Sequence, residues 1–324
     1  MNKKVIELIK QHCQVEQATF VETLQSLWSG YGSIDRYRLS DADVDSIIVK
    51  HVRLNDSQQH PRGWNTNLSH QRKLQSYQIE TIWYREYANI CNTHCRIPEC
   101  LAVAHLDDEV VILLEDLDSS GFPARLNHVK ETQLLACLDW LANFHACFMQ
   151  KKPTGLWPSG TYWHLQTRPD ELQAMSDEQL KSAASAIDQR LTDIEYLSFV
   201  HGDAKLANFC FSVDGTQVAA VDFQYVGGGC GMKDVAYFLG SALSESDCEK
   251  FEDDLLDYYF ASLKAALLKQ QPDINAEAVE NCWRPLYAMA WTDFFRFLQG
   301  WSPGHWKIHD YSRRLAQQVL TYLE

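Results

Sequence analysis

Long hydrophobic runs are missing from this 324-residue sequence, which holds no stretch long enough for a signal peptide or a membrane span. The first thirteen residues already interrupt their apolar positions with Lys3, Lys4 and Glu7. We therefore expect a cytoplasmic protein without a membrane partner. Internal repeats and low-complexity tracts are also missing. The 46% hydrophobic and 22% charged residues are typical of a folded globular chain.

The ten cysteines lack the spacing of a disulfide framework, which predicts reduced thiols. One cluster, Cys91, His94, Cys95 and Cys100, contains side chains of the types that bind metals. Its spacing fits no zinc pattern, and no second ligand pair follows it. Ordinary buried or surface thiols are therefore favoured over a metal site.

Positive charge is scarce, since 29 Lys and Arg stand against 43 Asp and Glu and give a formal net charge of −14. Nucleic acids and anionic membrane surfaces are bound through basic patches. The composition therefore argues against both as partners. A neutral or cationic small molecule fits the overall charge more easily.

The length exceeds that of a usual single domain and predicts two lobes, each with its own core and with a cleft between them. β-Branched and alternating patterns predict two strand pairs in the first third of the chain, at residues 33–39 with 45–54 and 101–104 with 110–114. A helix is expected at 72–91, and a polar loop at 56–70.

Helical patterns dominate after residue 117, apart from a long loop at 151–168 and a short strand pair at 209–213 and 218–223. The predicted fold is therefore α+β, with a small β-rich N-terminal lobe and a larger helical C-terminal lobe. We place the lobes at residues 1–117 and 118–324, with a hinge near 114–117.

The strongest functional signal is the segment FVHGDAKLAN at residues 199–208, followed one hairpin later by Asp222. Phosphoryl transfer needs a carboxylate that orients the attacking hydroxyl and accepts its proton, together with oxygen ligands for Mg²⁺. Asp203 fits the first role, whereas Asn208 and Asp222 fit the second. Lys205 can meet the charge on the transferring phosphoryl group. An isolated Asp beside a Gly is usually a turn residue, but the combined pattern favours catalysis.

These residues resemble the catalytic and metal-binding loops of the protein-kinase-like fold. The spelling His201-Gly202-Asp203, with Gln224 closely after Asp222, is similar to the aminoglycoside phosphotransferase and choline kinase branch, which includes the ecdysteroid kinase-like group. The resemblance covers nearly the whole chain and is strongest over residues 199–239. It implies an enzyme that uses ATP and Mg²⁺ to phosphorylate a hydroxyl group of a small molecule.

The resemblance also assigns residues to the nucleotide. Lys50, which follows three β-branched residues, is similar to the strand lysine that contacts the α- and β-phosphates and pairs with a helix glutamate. Glu80 is the favoured partner, and Glu86 is the alternative. Gly30 and Gly32 occupy the sequence position of the phosphate-covering loop in this fold. The segment from Ser29 to Ser33 does not match the full glycine-rich motif.

Further roles follow from the same resemblance. Glu115 and Leu117 belong to the hinge, whose backbone would bind adenine. Asp234 is similar to the aspartate at a helix start that braces the catalytic loop. His201 is expected to hold this loop by hydrogen bonding rather than to transfer protons.

The spacing between the metal and bracing aspartates bears on the substrate. Only residues 223–233 separate Asp222 from Asp234, whereas protein kinases place a long peptide-binding segment there. A small acceptor is therefore favoured over a protein. A nucleotide-binding pseudokinase scaffold is a further alternative, although the set of catalytic residues is complete.

Aromatic residues are frequent in the C-terminal segment, and two interpretations stay open. Core packing is the simpler one. The other is an acceptor pocket that holds a cation against aromatic faces, as in choline kinases, with Trp291 and Asp293 as candidates. Choline or ethanolamine, an aminoglycoside, a sugar and a steroid-like alcohol are all compatible with the motifs, and the acidic composition favours an amino-alcohol or amphipathic acceptor.

Overall fold

The computed structural model describes residues 3–27, 30–40, 42, 44–53 and 67–324. The helices of the described part are α1 Lys3–Cys13, α2 Asn67–Ile82, α3 Glu131–Phe148, α4 Pro169–Gln173, α5 Glu178–Thr192, α6 Met232–Ala242, α7 Glu245–Gln270, α8 Ala276–Trp283, α9 Tyr287–Trp301 and α10 Asp310–Leu323. Its strands are β1 Ala18–Ser26, β2 Gly32–Leu39, β3 Ser46–Arg53, β4 Cys100–Leu106, β5 Glu109–Glu115, β6 Ser198–Val200, β7 Phe209–Phe211, β8 Val218–Ala220 and β9 Gly227–Gly229.

The N-terminal part is a five-stranded antiparallel sheet with the order β1-β2-β3-β5-β4. Strands β2, β3, β4 and β5 confirm the two predicted strand pairs, and their ends agree with the predicted ends to within two residues in the described part of the chain. β1 was not predicted, because it is an edge strand whose residues are mostly exposed on both faces and show no apolar alternation. The predicted loop at 56–70 lies outside the described residues up to Thr66, and α2 begins at Asn67.

The two faces of the sheet are buried against different partners. One face packs on α1, whose Val5 and Ile9 join Val49, Val111 and Leu113 in a small cluster. The opposite face belongs to the main hydrophobic cluster, which continues without a break into the helical part of the chain. The N-terminal part therefore has a small cluster of its own and also shares the main cluster, and the division into two lobes at residue 117 stays a prediction.

Helix α2 connects the sheet to the helical part. It continues through a π-helical turn at Trp83–Tyr87, so the predicted helix at 72–91 is confirmed with an earlier start. The Trp83 ring stacks on Phe223 with the ring centroids 4.6 Å apart, and it also packs against Phe144 and Phe148 of α3. This contact fixes α2 relative to the segment that carries Asp222.

The helical part contains two short antiparallel strand pairs, β6 with β9 and β7 with β8. The β7–β8 hairpin brings its two flanking segments together, with Asn208 directly before β7 and Asp222 two residues after β8. The predicted second strand ends early, at Ala220, and Asp222 adopts a left-handed backbone conformation with φ 71°. None of the described helices is long and apolar enough to cross a membrane.

Candidate active site

A cavity of about 1320 Å³ lies where the sheet faces the helical part. Its lining includes Ile48 and Lys50 of β3, Leu114 and Glu115 of β5, Leu117 after β5, the catalytic-loop residues Asp203, Lys205 and Asn208, and Asp222. The predicted catalytic, metal and hinge residues thus surround one space. Its volume exceeds that of a pocket for one drug-sized ligand and leaves room for two ligands.

Asp234 holds the backbone of the predicted catalytic loop. Its carboxylate accepts hydrogen bonds from the backbone N–H groups of His201 (2.5 Å) and Gly202 (2.9 Å). It also lies 3.2 Å from Nε2 of buried His145, whose Nδ1 is 2.7 Å from the Tyr259 hydroxyl. The structure thus places Asp234 where the sequence predicted it, at the start of a helix and hydrogen-bonded to the backbone of the loop at His201 and Gly202.

The conformation of this loop also requires glycine at position 202 and is held by the hydrogen bonds predicted for His201. Gly202 has φ 78°, and a β-carbon there would lie 2.1 Å from the Tyr225 carbonyl oxygen, so only glycine fits. The His201 Nδ1 atom accepts from the Asp203 backbone N–H at 3.2 Å. The ring proton therefore sits on Nε2, which donates to the Val221 carbonyl at 3.0 Å.

The Asp203 carboxylate is buried at the centre of the site, with 5% of the residue exposed. Its Oδ2 accepts from Lys205 Nζ at 2.8 Å and from Asn208 Nδ2 at 3.1 Å. Its Oδ1 is enclosed and has no hydrogen-bond partner in the described structure. A buried carboxylate oxygen without a partner is costly, so this atom is available for a hydroxyl group of a ligand.

Asp222 is surrounded by positive charge. Its Oδ1 lies 3.3 Å from Lys50 Nζ and accepts from Gln224 Nε2 at 2.7 Å. Burial alone would raise the pKa of Asp222, but the charges of Lys50, Lys205 and Lys73 outweigh burial and lower this pKa to about 2. The carboxylate is therefore ionised at neutral pH.

Lys50 forms a buried ion pair with Glu80. Its Nζ lies 2.8 Å from Oε1 and 2.6 Å from Oε2 of Glu80. Burial would lower the pKa of Lys50, but the carboxylates of Glu80 and Asp222 reverse this effect and raise it. Glu86 is exposed in the π-helical turn. Glu80 is therefore the partner, and the alternative is excluded.

The donor set of Asn208 and Asp222 fits a Mg²⁺ ion. Asn208 donates its Nδ2 to the Asp203 carbonyl at 2.8 Å, which fixes the amide and leaves Oδ1 as the atom for a cation. The ionised Asp222 adds carboxylate oxygens. Mg²⁺ prefers oxygen ligands and is commonly held by one or two protein groups together with substrate phosphates.

The hinge is fixed by side-chain pairs. Buried Asp116 accepts from Arg36 Nε at 2.8 Å and from Ser46 Oγ at 2.7 Å. Glu115 pairs with Arg96, so its side chain is engaged and only its backbone could serve a nucleotide, as predicted for this position. Leu117 also lines the cavity.

The predicted phosphate-covering glycines are not among the cavity-lining residues. Gly32 has a structural reason for being glycine, because a β-carbon there would lie 1.9 Å from the His51 carbonyl oxygen. Gly30 has φ 77° in the turn before β2. Trp28 and Ser29 lie outside the described residues, so the phosphate role of this loop stays a prediction.

The prediction that Trp291 and Asp293 line the acceptor pocket is wrong. Both are buried, and neither lines the cavity. The Trp291 ring N–H donates to Ser312 Oγ at 3.0 Å. Asp293 accepts from Trp163 and pairs with Arg296 at 2.8 Å, so it is a neutralised core carboxylate. The aromatic residues that do line this side are Tyr162, Tyr225, Tyr237, Phe294, Phe297, Trp301 and Trp306.

Two further residues contribute to the site in ways that the sequence did not predict. Gln224 was noted only as part of a motif, but it connects Asp222 to Lys73, whose Nζ donates to Gln224 Oε1 at 2.8 Å. Lys307 enters the cavity from the segment between α9 and α10. No motif marks Lys307, because its position depends on the packing of helices distant in sequence.

Comparisons with solved structures agree with this architecture. An ethanolamine kinase from Plasmodium vivax superposes with a TM-score of 0.50 at 9% identity, covering 94% of this chain and 82% of that chain. The protein has the protein-kinase-like fold. A microcompartment-associated aminopropanol kinase gives a TM-score of 0.48 at 13% identity, with coverages of 99% and 98%. An aminoglycoside phosphotransferase from Streptomyces rimosus, in complex with ADP and streptomycin, gives 0.45 at 15% identity, with coverages of 89% and 99%.

A family profile agrees with the motifs. Residues 159–271, which include the catalytic loop, Asp222 and Asp234, match the ecdysteroid kinase-like family. No curated protein sequence matches the chain. The predicted resemblance to this group of small-molecule kinases is therefore confirmed.

Proposed function

We propose that this protein is an ATP- and Mg²⁺-dependent kinase that transfers the γ-phosphate to a hydroxyl group of a small molecule. The observation that carries the proposal is the Asp203 carboxylate, which lines the cavity and keeps one buried oxygen without a partner. In phosphoryl transfer such a carboxylate positions the attacking hydroxyl and takes its proton.

The surrounding residues would act on the nucleotide. Lys50, held by Glu80, is placed to neutralise phosphate charge, and Lys205 is placed beside Asp203, where the transferring group would meet the acceptor. Asn208 and Asp222 would hold Mg²⁺, which supplies further charge neutralisation when it is bound. Residues 1–117 would then bind mainly the nucleotide, and residues 118–324 would supply the catalytic groups and the acceptor pocket.

The segment after Asp222 supports a small acceptor rather than a protein. Residues 226–236 are buried, and β9 pairs with β6 in the interior. Gly227 packs closely against the long loop that contains Trp157. A β-carbon at Gly227 would lie 2.2 Å from the Trp157 carbonyl oxygen. A buried segment of this kind has no free surface on which a peptide could bind.

The complete site also supports catalysis over a scaffold function. A protein that only binds nucleotide has no need for a buried carboxylate oxygen without a partner, because such an atom reduces stability. Asp203 keeps this oxygen beside Lys205 and Asn208. If the protein were a pseudokinase, it would release no ADP, and substitution of Asp203 would therefore make no difference in an activity assay.

The test measures ADP release from Mg·ATP with a panel of hydroxylated compounds, namely choline, ethanolamine, an aminoglycoside, sugars, sterols and hydroxylated carboxylic acids. We expect at least one compound to stimulate release, and Asp203→Asn to remove the stimulation. Asp253→Asn, at an exposed position of α7, is the matched control and should behave like the wild type. A chelator should also stop release.

Two results would count against the proposal. One is stimulated release that persists at the wild-type rate in Asp203→Asn, since it would remove the assigned role. The other is tight Mg·ATP binding without release for any compound, which would favour the scaffold alternative.

A further inference from the structure

Lys307 is a buried cation without a partner at the acceptor side of the cavity. Only 9% of the residue is exposed, and it lines the cavity. No carboxylate or hydrogen-bond acceptor of the described residues contacts its ammonium group, although buried lysines are normally paired. Burial lowers the pKa of Lys307 to about 8, with a smaller opposing effect of Asp203 and a further lowering by Lys205. Lys307 and Asp203 both line the cavity.

Three of the aromatic rings that line this side of the cavity already contact this lysine. Its Nζ lies 4.7 Å from the ring centroid of Tyr237 and 5.4 Å from those of Phe294 and Trp306. Cation–π attraction offsets part of the cost of burying the ammonium. A quaternary ammonium ligand would have to displace the side chain of Lys307 or lie against it, and like charges repel.

A second cation that lines the cavity, Arg72, forms no ion pair with a carboxylate of the described residues. The guanidinium of Arg72 donates to two neutral oxygens, the Thr167 carbonyl at 2.6 Å and Ser69 Oγ at 3.3 Å. Arg168, in contrast, pairs with Glu171. Burial and, to a smaller extent, the charge of Arg168 lower the pKa of Arg72, while Tyr225, Glu171 and Asp170 act in the opposite direction.

The carboxylates that line the cavity either form ion pairs with basic side chains of the protein or belong to the proposed catalytic and metal-binding groups. Glu80 pairs with Lys50, and Glu115 pairs with Arg96. Asp116 and Asp118 pair with Arg36 at the hinge. Within the described part of the chain, this leaves the catalytic Asp203 and Asp222, so no acidic side chain remains for an amino group of an acceptor.

We propose, on the basis of the kinase function proposed above, that the acceptor is an anionic alcohol whose carboxylate or similar group pairs with Lys307. The apolar body of the acceptor contacts the α9 side chains Phe294, Phe297 and Trp301 that line the cavity. Its hydroxyl group reaches Asp203. This inference reverses the preference for an amino-alcohol that the overall charge of −14 suggested, because the pocket differs from the whole surface.

The Tyr237 ring connects the two ends of this acceptor site. Its face contacts the Lys307 ammonium, while its hydroxyl is 3.2 Å from that of Tyr162. The Asp203 carboxylate also raises the pKa of Tyr237, in addition to the larger effect of burial and the effect of Tyr162. Tyr237 thus lies near both groups that the proposed acceptor would contact.

The test uses three compounds that share a benzene ring and a hydroxymethyl group and differ only in charge: 4-(hydroxymethyl)benzoate, 4-(hydroxymethyl)benzamide and 4-(hydroxymethyl)benzylamine. Each is titrated calorimetrically into the full-length protein with Mg·ADP present. A hydrogen bond to a charged group is worth roughly tenfold to a hundredfold in affinity. We expect the benzoate to bind about tenfold or more tightly than the benzamide, and the protonated benzylamine to bind most weakly.

Two lysine variants make the assignment specific. Lys307→Met should abolish the preference for the benzoate and leave ADP affinity unchanged, whereas Lys307→Arg should keep it. Lys250→Met is the matched control, because exposed Lys250 also lies over an aromatic ring, 4.6 Å from the centroid of Phe251, but outside the cavity. It should leave all three affinities unchanged.

The proposal is overturned if the benzylamine binds best, if the benzoate fails to bind, or if its preference survives in Lys307→Met. A Lys307→Met variant that loses ADP affinity instead would place the lysine at the phosphates and would also overturn it. The measurement involves no turnover. It can therefore fail while ADP release that depends on Asp203 still supports the kinase function, and the reverse also holds.

Discussion

Removal of Lys50 should destabilise the protein strongly, because it leaves Glu80 charged and buried without a partner. The two side chains form a close ion pair in which 2% of Lys50 and 1% of Glu80 are exposed. Breaking a buried pair by removing one partner costs about 3–5 kcal/mol. We therefore expect Lys50→Met to lower the free energy of unfolding by about this amount at neutral pH.

The loss should depend on pH in a defined direction. Burial raises the pKa of Glu80, and Lys50 opposes that rise. Without Lys50 the folded state binds a proton that the unfolded chain releases above about pH 4.3. The folded state then holds more protons, so stability falls as pH rises from about 4.3 to the raised pKa. The destabilisation of Lys50→Met should therefore be greatest at neutral pH and smaller in acid.

Urea unfolding followed by tryptophan fluorescence measures the effect. Lys264→Met is the matched control, since Lys264 pairs with Glu277 and Glu280 at the surface and such pairs contribute about 0–1 kcal/mol. The double variant Lys50→Met with Glu80→Leu should recover most of the stability but bind ATP weakly. A Lys50→Met protein as stable as the Lys264→Met control would refute the reasoning.

Two further predictions concern the catalytic loop and the acceptor site. Gly202→Ala should lower kcat by at least about tenfold and the stability by about 1–3 kcal/mol, because φ 78° is strained for alanine and its β-carbon would meet the Tyr225 carbonyl. Activity assays and urea unfolding check this against Gly304→Ala, which has open space, and equal behaviour of the two variants would contradict it. The affinity for 4-(hydroxymethyl)benzoate should fall as pH rises through about 8, where the Lys307 ammonium, whose pKa is lowered by burial and by Lys205 against the opposing effect of Asp203, loses its proton. Calorimetry on Lys307→Arg should show no such fall, and a fall of equal size would assign the titration to another group.

The residues of the proposed catalytic site could be identified from the sequence because they lie in one short segment and one hairpin. The spacing from Asp203 to Asn208 and to Asp222 is set by local geometry, and the structure brings these three residues to one cavity. The pairing of Lys50 with Glu80 required the resemblance to a known fold, because these residues belong to separate elements.

The acceptor side could not be predicted in the same way. Helical periodicity shows that α9 is apolar, but it does not show which of its faces lines a cavity. Trp291 contacts Ser312 of α10, and Asp293 contacts Trp163 and Arg296, whereas Phe294 and Phe297 line the space. Overall charge likewise does not predict which charged side chains line the cavity, since Lys307 lies in the segment between α9 and α10.

The measurement that tests the central claim most directly is the mass of the product formed from Mg·ATP and 4-(hydroxymethyl)benzoate, or from another acceptor that stimulates ADP release. The wild type and Asp253→Asn should add one phosphoryl group to the acceptor. Asp203→Asn should form product at least about a hundredfold more slowly, with ATP affinity within about twofold of the wild type. Product formation by Asp203→Asn at the wild-type rate would contradict the account.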